Sequence, residues 1–215
     1  MRASRFCQTL ALGLLLGGGA QTANANLLTN GSFETPASTV STSLPIGSTY
    51  LTGWTVINAE NIAQISPGAF GITASNGLYS LDLAFRDVAS YGGVRQVIAT
   101  VSGAVYNISF DVGSTSGTSG VKVLAGSLSN NGFSTSTSLL WTTFSSTFTA
   151  LGSTTAIDLI GLQPSSGTYI GLDNVDVTLN RLPNRVPEPS TLMLFGMGLF
   201  ALVGLRRRTQ AGSQA

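Results

Sequence analysis

The chain has 215 residues, which is room for one ordinary domain together with targeting segments. It contains no histidine and a single cysteine, Cys7, which excludes Ser-His-Asp and Cys-His catalytic sites, His/Cys zinc sites and intramolecular disulfides. Charged residues make up only 9% of the chain, and between residues 26 and 180 three basic residues face eight acidic ones, which argues against nucleic-acid binding.

Residues 1–25 have the layout of a secretory signal peptide. Arg2 and Arg5 form a positively charged start, and an apolar stretch follows from residue 10 to residue 16. Ala23-Asn24-Ala25 then provides a small-residue cleavage site. Because the apolar stretch is too short to span a bilayer, we predict export with cleavage after Ala25 rather than a lasting N-terminal anchor.

The body of the chain, residues 26–180, shows short alternating segments and no helical periodicity. In residues 106–112 and 174–179, branched or aromatic side chains alternate with polar ones, which is typical of strands with one buried face. Asp111 and Asp176 occupy polar positions and are predicted to face solvent. Further strands are predicted within LYSLDLAF, GVRQVIATV, VKVLAG, WTTFSSTFTA and AIDLIGL.

Two stretches rich in Ser, Thr, Gly and Asn, residues 113–120 and 128–138, are predicted to be loops. Many short strands without helices between them predict an all-β fold, namely a β-sandwich or jelly roll. A body of about 155 residues can bury such a core without disulfides. Trp54 and Trp141 are predicted to belong to that core.

The chain closes with an apolar segment between a Pro-Glu-Pro motif and an arginine cluster. Two prolines hold the approach extended, and residues 190–205 carry no charge. As a helix this uncharged segment would reach about 24 Å, which is short for a hydrocarbon core of about 30 Å. The arginines at 206–208 would stay on the cytoplasmic side. We predict a transient inner-membrane anchor at residues 190–208, joined to the body by a linker at residues 181–189; a permanent tail anchor is the alternative.

This combination of motif, apolar segment and arginines resembles the PEP-CTERM sorting signal of Gram-negative bacteria with exopolysaccharide-rich envelopes. The resemblance implies that Pro187, Glu188 and Pro189 form a motif recognised by an exosortase, a membrane transpeptidase-like enzyme that cleaves nearby. It also implies that the protein reaches the cell surface or the extracellular matrix.

The order of segments in the body resembles the galactose-binding-like β-sandwich, most specifically at NGSFE (30–34) and LDNV (172–175). This domain type also occurs in many PEP-CTERM proteins, in plant cell-wall proteins and in carbohydrate-binding modules. It often holds a structural calcium ion where its first and last strands meet, which implies Glu34 and Asp173 as ligands. Backbone carbonyls and Asn30 or Asn174 would complete the oxygen shell. The alternative is that Glu34 caps a turn and Asp173 begins a strand.

The same resemblance, together with export, implies sugar binding through exposed aromatic rings and through amides and acids. Asp87, Tyr91 and Arg95 are the predicted contacts, and Phe70 and Tyr50 lie in similar loop-like surroundings. The acids are scattered, and no spacing forces the pair of carboxyls that a glycosidase needs.

We therefore expect a non-catalytic surface protein that associates with extracellular polysaccharide and binds no nucleic acid. An exosortase and, for a time, the inner membrane are its other expected partners. Two alternatives stay open: a structural or adhesive matrix protein that binds other proteins, and a glycan-active enzyme.

Overall fold

Strands make up nearly all of the regular structure, as the alternating pattern predicts. The computed structural model describes residues 25–84, 91–162 and 169–183. Within these residues a turn of 3-10 helix, Ala69–Gly71, follows the third strand. The strands in chain order are β1 (Thr42–Leu44), β2 (Thr55–Asn58), β3 (Ile62–Ile65), β4 (Ser80–Asp82), β5 (Gly92–Ala99), β6 (Val105–Ser114), β7 (Gly117–Ala125), β8 (Leu128–Ser136), β9 (Leu140–Thr149), β10 (Thr154–Leu162) and β11 (Gly171–Arg181).

The two predicted targeting segments fall outside this description. The apolar sorting segment at residues 190–208 lies outside the described residues, as does the signal peptide apart from Ala25. Among the residues that are described, no helix is long and apolar enough to cross a membrane.

The strands form two antiparallel sheets that enclose one main core. The six-stranded sheet has the order β1-β3-β4-β11-β6-β9, and the five-stranded sheet has the order β2-β5-β10-β7-β8. Many neighbouring strands are distant in sequence, so long-range pairing holds each sheet together. This arrangement confirms the prediction of an all-β sandwich.

Inward-facing residues of both sheets fill the core. Along β6 the buried residues Tyr106 and Ile108 alternate with the half-buried Asn107, as the sequence predicts. Trp54 is buried as predicted, with its ring centroid 5.4 Å from that of Phe33. The largest fully buried side chains are Trp54, Phe33, Phe110, Phe148, Leu51, Ile62, Leu81, Leu83, Ile108, Ile157, Leu159 and Ile170.

Two stretches predicted to be loops form strands instead. β6 runs to Ser114 and β7 begins at Gly117, so only residues 115–116 connect them. β8 occupies Leu128–Ser136 and pairs with β7 along its whole length. Continuous backbone pairing with a long neighbour outweighs the weak strand propensity of Asn and Gly.

The N-terminal segment lies along the last strand. The Leu27 N–H donates to the Val177 carbonyl at 2.8 Å, and the Val175 N–H donates to the Gly31 carbonyl at 2.9 Å. β11 has an irregularity in its pairing with β6 next to these contacts. The first segment of the body and its last strand therefore meet, as the resemblance implies.

Candidate functional site

The outer face of the six-stranded sheet, which points away from the core, carries a band of polar side chains. The register places Asn107 opposite Thr147 and Ser109 opposite Ser145 on β6 and β9. Because side chains alternate along a strand, these four project outward while Ile108 points into the core.

An open groove of about 400 Å³ is lined by residues 107–109 and 145–147; we call it the β6–β9 groove. Ile108 is only 1% exposed, so it lines the groove mainly with its backbone. The outward hydroxyl and amide groups of the other residues supply the polar lining. The Asn180 amide donates a hydrogen bond to Asn107 Oδ1 at 2.6 Å, which orients the Asn107 side chain. The sequence reveals the outward polar positions on β6 but not the strand that lies beside them.

Trp141 lies at one end of the polar band, on the outer face rather than in the predicted core. It stands opposite Gly113, where an added Cβ would come within 2.8 Å of the indole ring. The ring packs edge-on against Tyr169 with centroids 6.2 Å apart. Its N–H donates to the Thr73 carbonyl at 3.0 Å. The absence of a side chain at Gly113 therefore lets a half-buried tryptophan lie close to the sheet.

The connection between β3 and β4 presents a second aromatic ring near Trp141. Ala69 and Ile72 pack with Trp141 in a small apolar cluster on the outer face. Phe70, between them in the chain, is 77% exposed and has a left-handed backbone with φ 56°. Such a conformation costs energy for a residue with a side chain, and residues held this way often cluster at functional sites. Phe70 is therefore an exposed ring on a connection whose neighbouring residues pack in the cluster with Trp141.

Asp111 and Asp173 are two outer-face acids that are buried, and for Asp111 this contradicts the prediction of a solvent-facing side chain. They lie opposite each other on β6 and β11 and are 5% and 0% exposed. The β3–β4 connection covers them, since the N–H groups of Ser75 and Asn76 donate to Asp173 Oδ2 at 2.8 and 2.9 Å. The Thr143 hydroxyl donates to Asp111 Oδ1 at 2.6 Å. Burial, opposed by the N–H donors and reinforced by the charge of Asp111, raises the pKa of Asp173 to about 7.

Glu34 is hydrogen-bonded to the same β3–β4 connection, close to the end that leads into β4. Its Oε1 accepts hydrogen bonds from the N–H groups of Leu78 and Tyr79, both at 2.9 Å. Gly77 gives this carboxylate room, because an added Cβ would lie 2.5 Å from Oε1. Glu34 and Asp173 therefore act on one connection, and both do so by accepting backbone hydrogen bonds.

These contacts bear on the predicted calcium site. Calcium takes six to eight oxygen ligands, and the N–H groups that donate to Glu34 Oε1 and Asp173 Oδ2 use part of the acceptor capacity of these carboxylates. The Asn30 side chain, another predicted ligand, is hydrogen-bonded to the backbone of Thr35. Within the described ranges no group of three or more acids, histidines or cysteines is placed to hold a metal. These hydrogen bonds thus give Glu34, Asp173 and Asn30 backbone partners, and calcium binding at Glu34 and Asp173 stays a prediction.

Replacing Glu34 with alanine should lower the free energy of unfolding by about 2 kcal/mol, because two backbone N–H groups lose a charged acceptor. The melting temperature, Tm, should fall by several degrees. Glu34→Gln is the matched control, since it keeps an acceptor oxygen. A wild-type Tm that drops on chelation and recovers with calcium would instead support a calcium site.

Two of the three predicted sugar contacts, Tyr91 and Arg95, belong to the described residues, and they have different surroundings. Tyr91 is 6% exposed and packs against Gly161, which is the setting of a core residue and not of a stacking ring open to a ligand. Arg95 lies on the outer face of the five-stranded sheet, where two of its nitrogens contact the Asp158 carboxylate at 2.6 Å. Asp87 lies outside the described residues.

Among solved structures, the chain is similar to several domains at low sequence identity. TmCBM61, solved in complex with β-1,4-galactotriose, has 17% identity and a TM-score of 0.44 over 73% of this chain and 100% of that chain. The xylan-binding CBM22-1 domain of Paenibacillus barcinonensis Xyn10C has 16% identity and a TM-score of 0.43 over 76% and 99%. The K1 cleaved adhesin domain of Lys-gingipain from Porphyromonas gingivalis W83 has 14% identity and a TM-score of 0.49 over 66% and 99%. At these identities the similarity concerns the fold alone.

Among curated proteins, none matches the chain in sequence. Pro187, Glu188 and Pro189 lie outside the described residues, but residues 185–208 match the PEP-CTERM protein-sorting motif, which confirms the predicted resemblance. Residues 26–172 match the model of a family described as a protein of unknown function, DUF642. The chain therefore belongs to the DUF642 family and carries a PEP-CTERM sorting motif.

Proposed function

We propose that this is a non-catalytic surface protein, sorted by an exosortase, that binds extracellular polysaccharide on the outer face of its six-stranded sheet. The β6–β9 groove is the observation that carries the proposal. Side-chain hydroxyl and amide groups both donate and accept hydrogen bonds, as sugar hydroxyls do. A groove bordered by Asn107, Ser109, Ser145 and Thr147 therefore suits a polyhydroxylated ligand.

The aromatic rings beyond the groove support a ligand that extends along the sheet. Trp141 lies four residues from Ser145 on β9, a distance of about 13 Å, and its side chain projects from the same face. Aromatic rings provide large apolar contact area, which a sugar ring can meet with its C–H face. Phe70 offers a second, more exposed ring at this end. A polymer could contact the polar groove and these rings together.

The acids of the outer face support binding rather than catalysis. A glycosidase places two carboxyls about 5 to 9.5 Å apart on either side of the scissile bond. Asp111 and Asp173 are buried beneath the β3–β4 connection and accept hydrogen bonds from it. Asp176, opposite Ser109, is half-buried, so within the described ranges one accessible carboxyl borders the groove. A single carboxyl does not provide both roles of a glycosidase.

The PEP-CTERM motif supports export and sorting to the cell surface. In this proposal the uncharged segment and the arginines hold the precursor briefly at the inner membrane of a Gram-negative cell. Cleavage near Pro187, Glu188 and Pro189 then separates the β-sandwich from the apolar segment. The body would remain at the surface or in the extracellular matrix, where polysaccharide is available.

Affinity electrophoresis of the purified protein through gels that contain exopolysaccharide from the producing organism tests this function. The wild-type protein should be retarded, and Ser145→Ile, which fills the β6–β9 groove, should weaken binding at least about tenfold. Ser129→Ile is the matched control, because it places the same side chain on an exposed position of the other sheet's edge strand. It should bind as the wild type does.

Two outcomes would contradict the proposal. Equal retardation of the Ser145→Ile and Ser129→Ile proteins would remove the groove as the binding site. Concentration-dependent self-assembly without any retardation would favour a structural or adhesive matrix protein whose partner is another protein.

A further inference from the structure

The charged side chains that the structure describes at the Ser109 end of the β6–β9 groove are acidic. Asp176 of β11 lies opposite Ser109, so its half-buried carboxylate borders the groove. Asp111 and Asp173 follow at the next outward position along the sheet and are buried. A ligand in the groove would therefore meet one accessible carboxylate, with two buried acids beyond it.

The cations of the described residues lie away from the Ser109 end of the groove. Arg95 and Lys122 belong to the five-stranded sheet, and Arg95 is held in an ion pair. Arg181 belongs to the six-stranded sheet and stands opposite Val105, two residues or about 7 Å along β6 from Asn107 and four residues or about 13 Å from Ser109, where Asp176 lies. Exposed charges about 13 Å apart are largely screened at physiological ionic strength, where the Debye length is about 8 Å, so Arg181 does little to offset the charge of Asp176 at the Ser109 end.

We propose that the β6–β9 groove takes a neutral glycan and rejects acidic polysaccharides. This inference rests on the proposed function and names the ligand class of the same site. A neutral sugar can donate hydroxyl hydrogen bonds to Asp176. A uronate, sulfate or phosphate group in the groove would instead bring a second negative charge beside it. The repulsion grows where water is partly excluded, and no described cation lies within about 13 Å along β6 of the Ser109 end of the groove, where Asp176 stands.

The organism's exopolysaccharide, separated by anion exchange into a neutral and an acidic fraction, provides the two probes. Affinity electrophoresis of the purified protein at equal polymer concentrations should show binding to the neutral fraction that is about tenfold tighter or more. Raising the salt concentration should leave the neutral binding unchanged, because screening weakens charge interactions but not neutral hydrogen bonds.

Asp176→Asn removes the charge and keeps the size of the side chain. This variant should bind the acidic fraction several-fold better than the wild type, so that the preference for the neutral fraction falls. Tighter wild-type binding to the acidic fraction would overturn the neutral-ligand proposal and leave polysaccharide binding intact. Retardation by neither fraction would overturn the binding function itself. An unchanged preference in Asp176→Asn would overturn the role given to this carboxylate.

Discussion

Replacing Gly31 with alanine should lower the free energy of unfolding by about 3 kcal/mol or more. An added Cβ would lie 2.1 Å from the carbonyl oxygen of Val175, and a backbone atom cannot rotate away as a side chain can. The Gly31 carbonyl also accepts the Val175 N–H at 2.9 Å, so a shift that relieves the clash weakens the contact between the N-terminal segment and β11. Overpacking commonly costs about 1 to 3 kcal/mol, and a clash with backbone belongs at the upper end of that range or above it.

Thermal melting measures the effect of this substitution. In a protein of this size each kcal/mol lost from the free energy of unfolding lowers Tm by about 2 to 4 °C, so Gly31→Ala should lower Tm by about 10 °C. Gly152→Ala is the matched control, because the nearest atom to its added Cβ is 3.8 Å away. The control should melt close to the wild type. If Gly31→Ala and Gly152→Ala had the same Tm, the close approach of Gly31 to β11 would not limit the stability of the protein.

The protein should be more stable near pH 4.5 than near pH 8, the reverse of ordinary acid denaturation. Burial raises the pKa of Asp173 to about 7 and that of Asp82 to about 6, from a usual value of 3.8. Between pH 3.8 and about 7 the folded state therefore binds more protons than the unfolded state. The free energy of unfolding then falls as pH rises through this window and levels off above it. At about 1.4 kcal/mol per pKa unit, the two groups together amount to a few kcal/mol.

The surroundings of both acids explain why burial dominates. Asp82 Oδ1 accepts hydrogen bonds from the N–H groups of Ala84 at 3.0 Å and Ile170 at 3.2 Å, which favour the ionised form but do not outweigh desolvation. Asp173 also has the charge of Asp111 opposite it, which disfavours ionisation.

Urea unfolding at a series of pH values measures this dependence. Asp173→Asn and Asp82→Asn should each flatten the slope between about pH 4 and pH 7, because each removes one titrating group. The slope is the diagnostic quantity, since either substitution also changes hydrogen bonds and therefore the absolute stability. A wild-type protein that gains stability as pH rises through this window would contradict the raised pKa values.

The strand pattern could be predicted where a segment has one buried face along its length. Residues 106–112 and 174–179 alternate locally, and the structure places them in β6 and β11 with Ile108 and Val177 in the core. The pattern failed for β8, where Ser, Asn and Gly dominate and most positions are exposed. Its strand conformation comes from pairing with β7 and not from its own composition.

The site depended far more on distant contacts. Ser109 lies opposite Ser145 on one side and Asp176 on the other, so the groove and the carboxyl that borders it bring together three segments that are far apart in sequence. Asp111 was predicted to face solvent because its strand position points outward, which is correct for direction but not for exposure. The β3–β4 connection covers the Asp111 side chain, and no local sequence pattern predicts this contact.

The sorting motif, the all-β class and the exclusion of histidine and cysteine chemistry could be recognised from the residues alone, because each depends on composition or on a short local pattern. Three other features became visible only in the folded chain: Glu34 and Asp173 accept hydrogen bonds from one connection, Tyr91 is buried, and Trp141 lies outside the main core. These outcomes follow from which strands and connections lie together. In a sandwich whose sheet neighbours are distant in sequence, that pairing is set by the packing of the whole chain and not by any one segment.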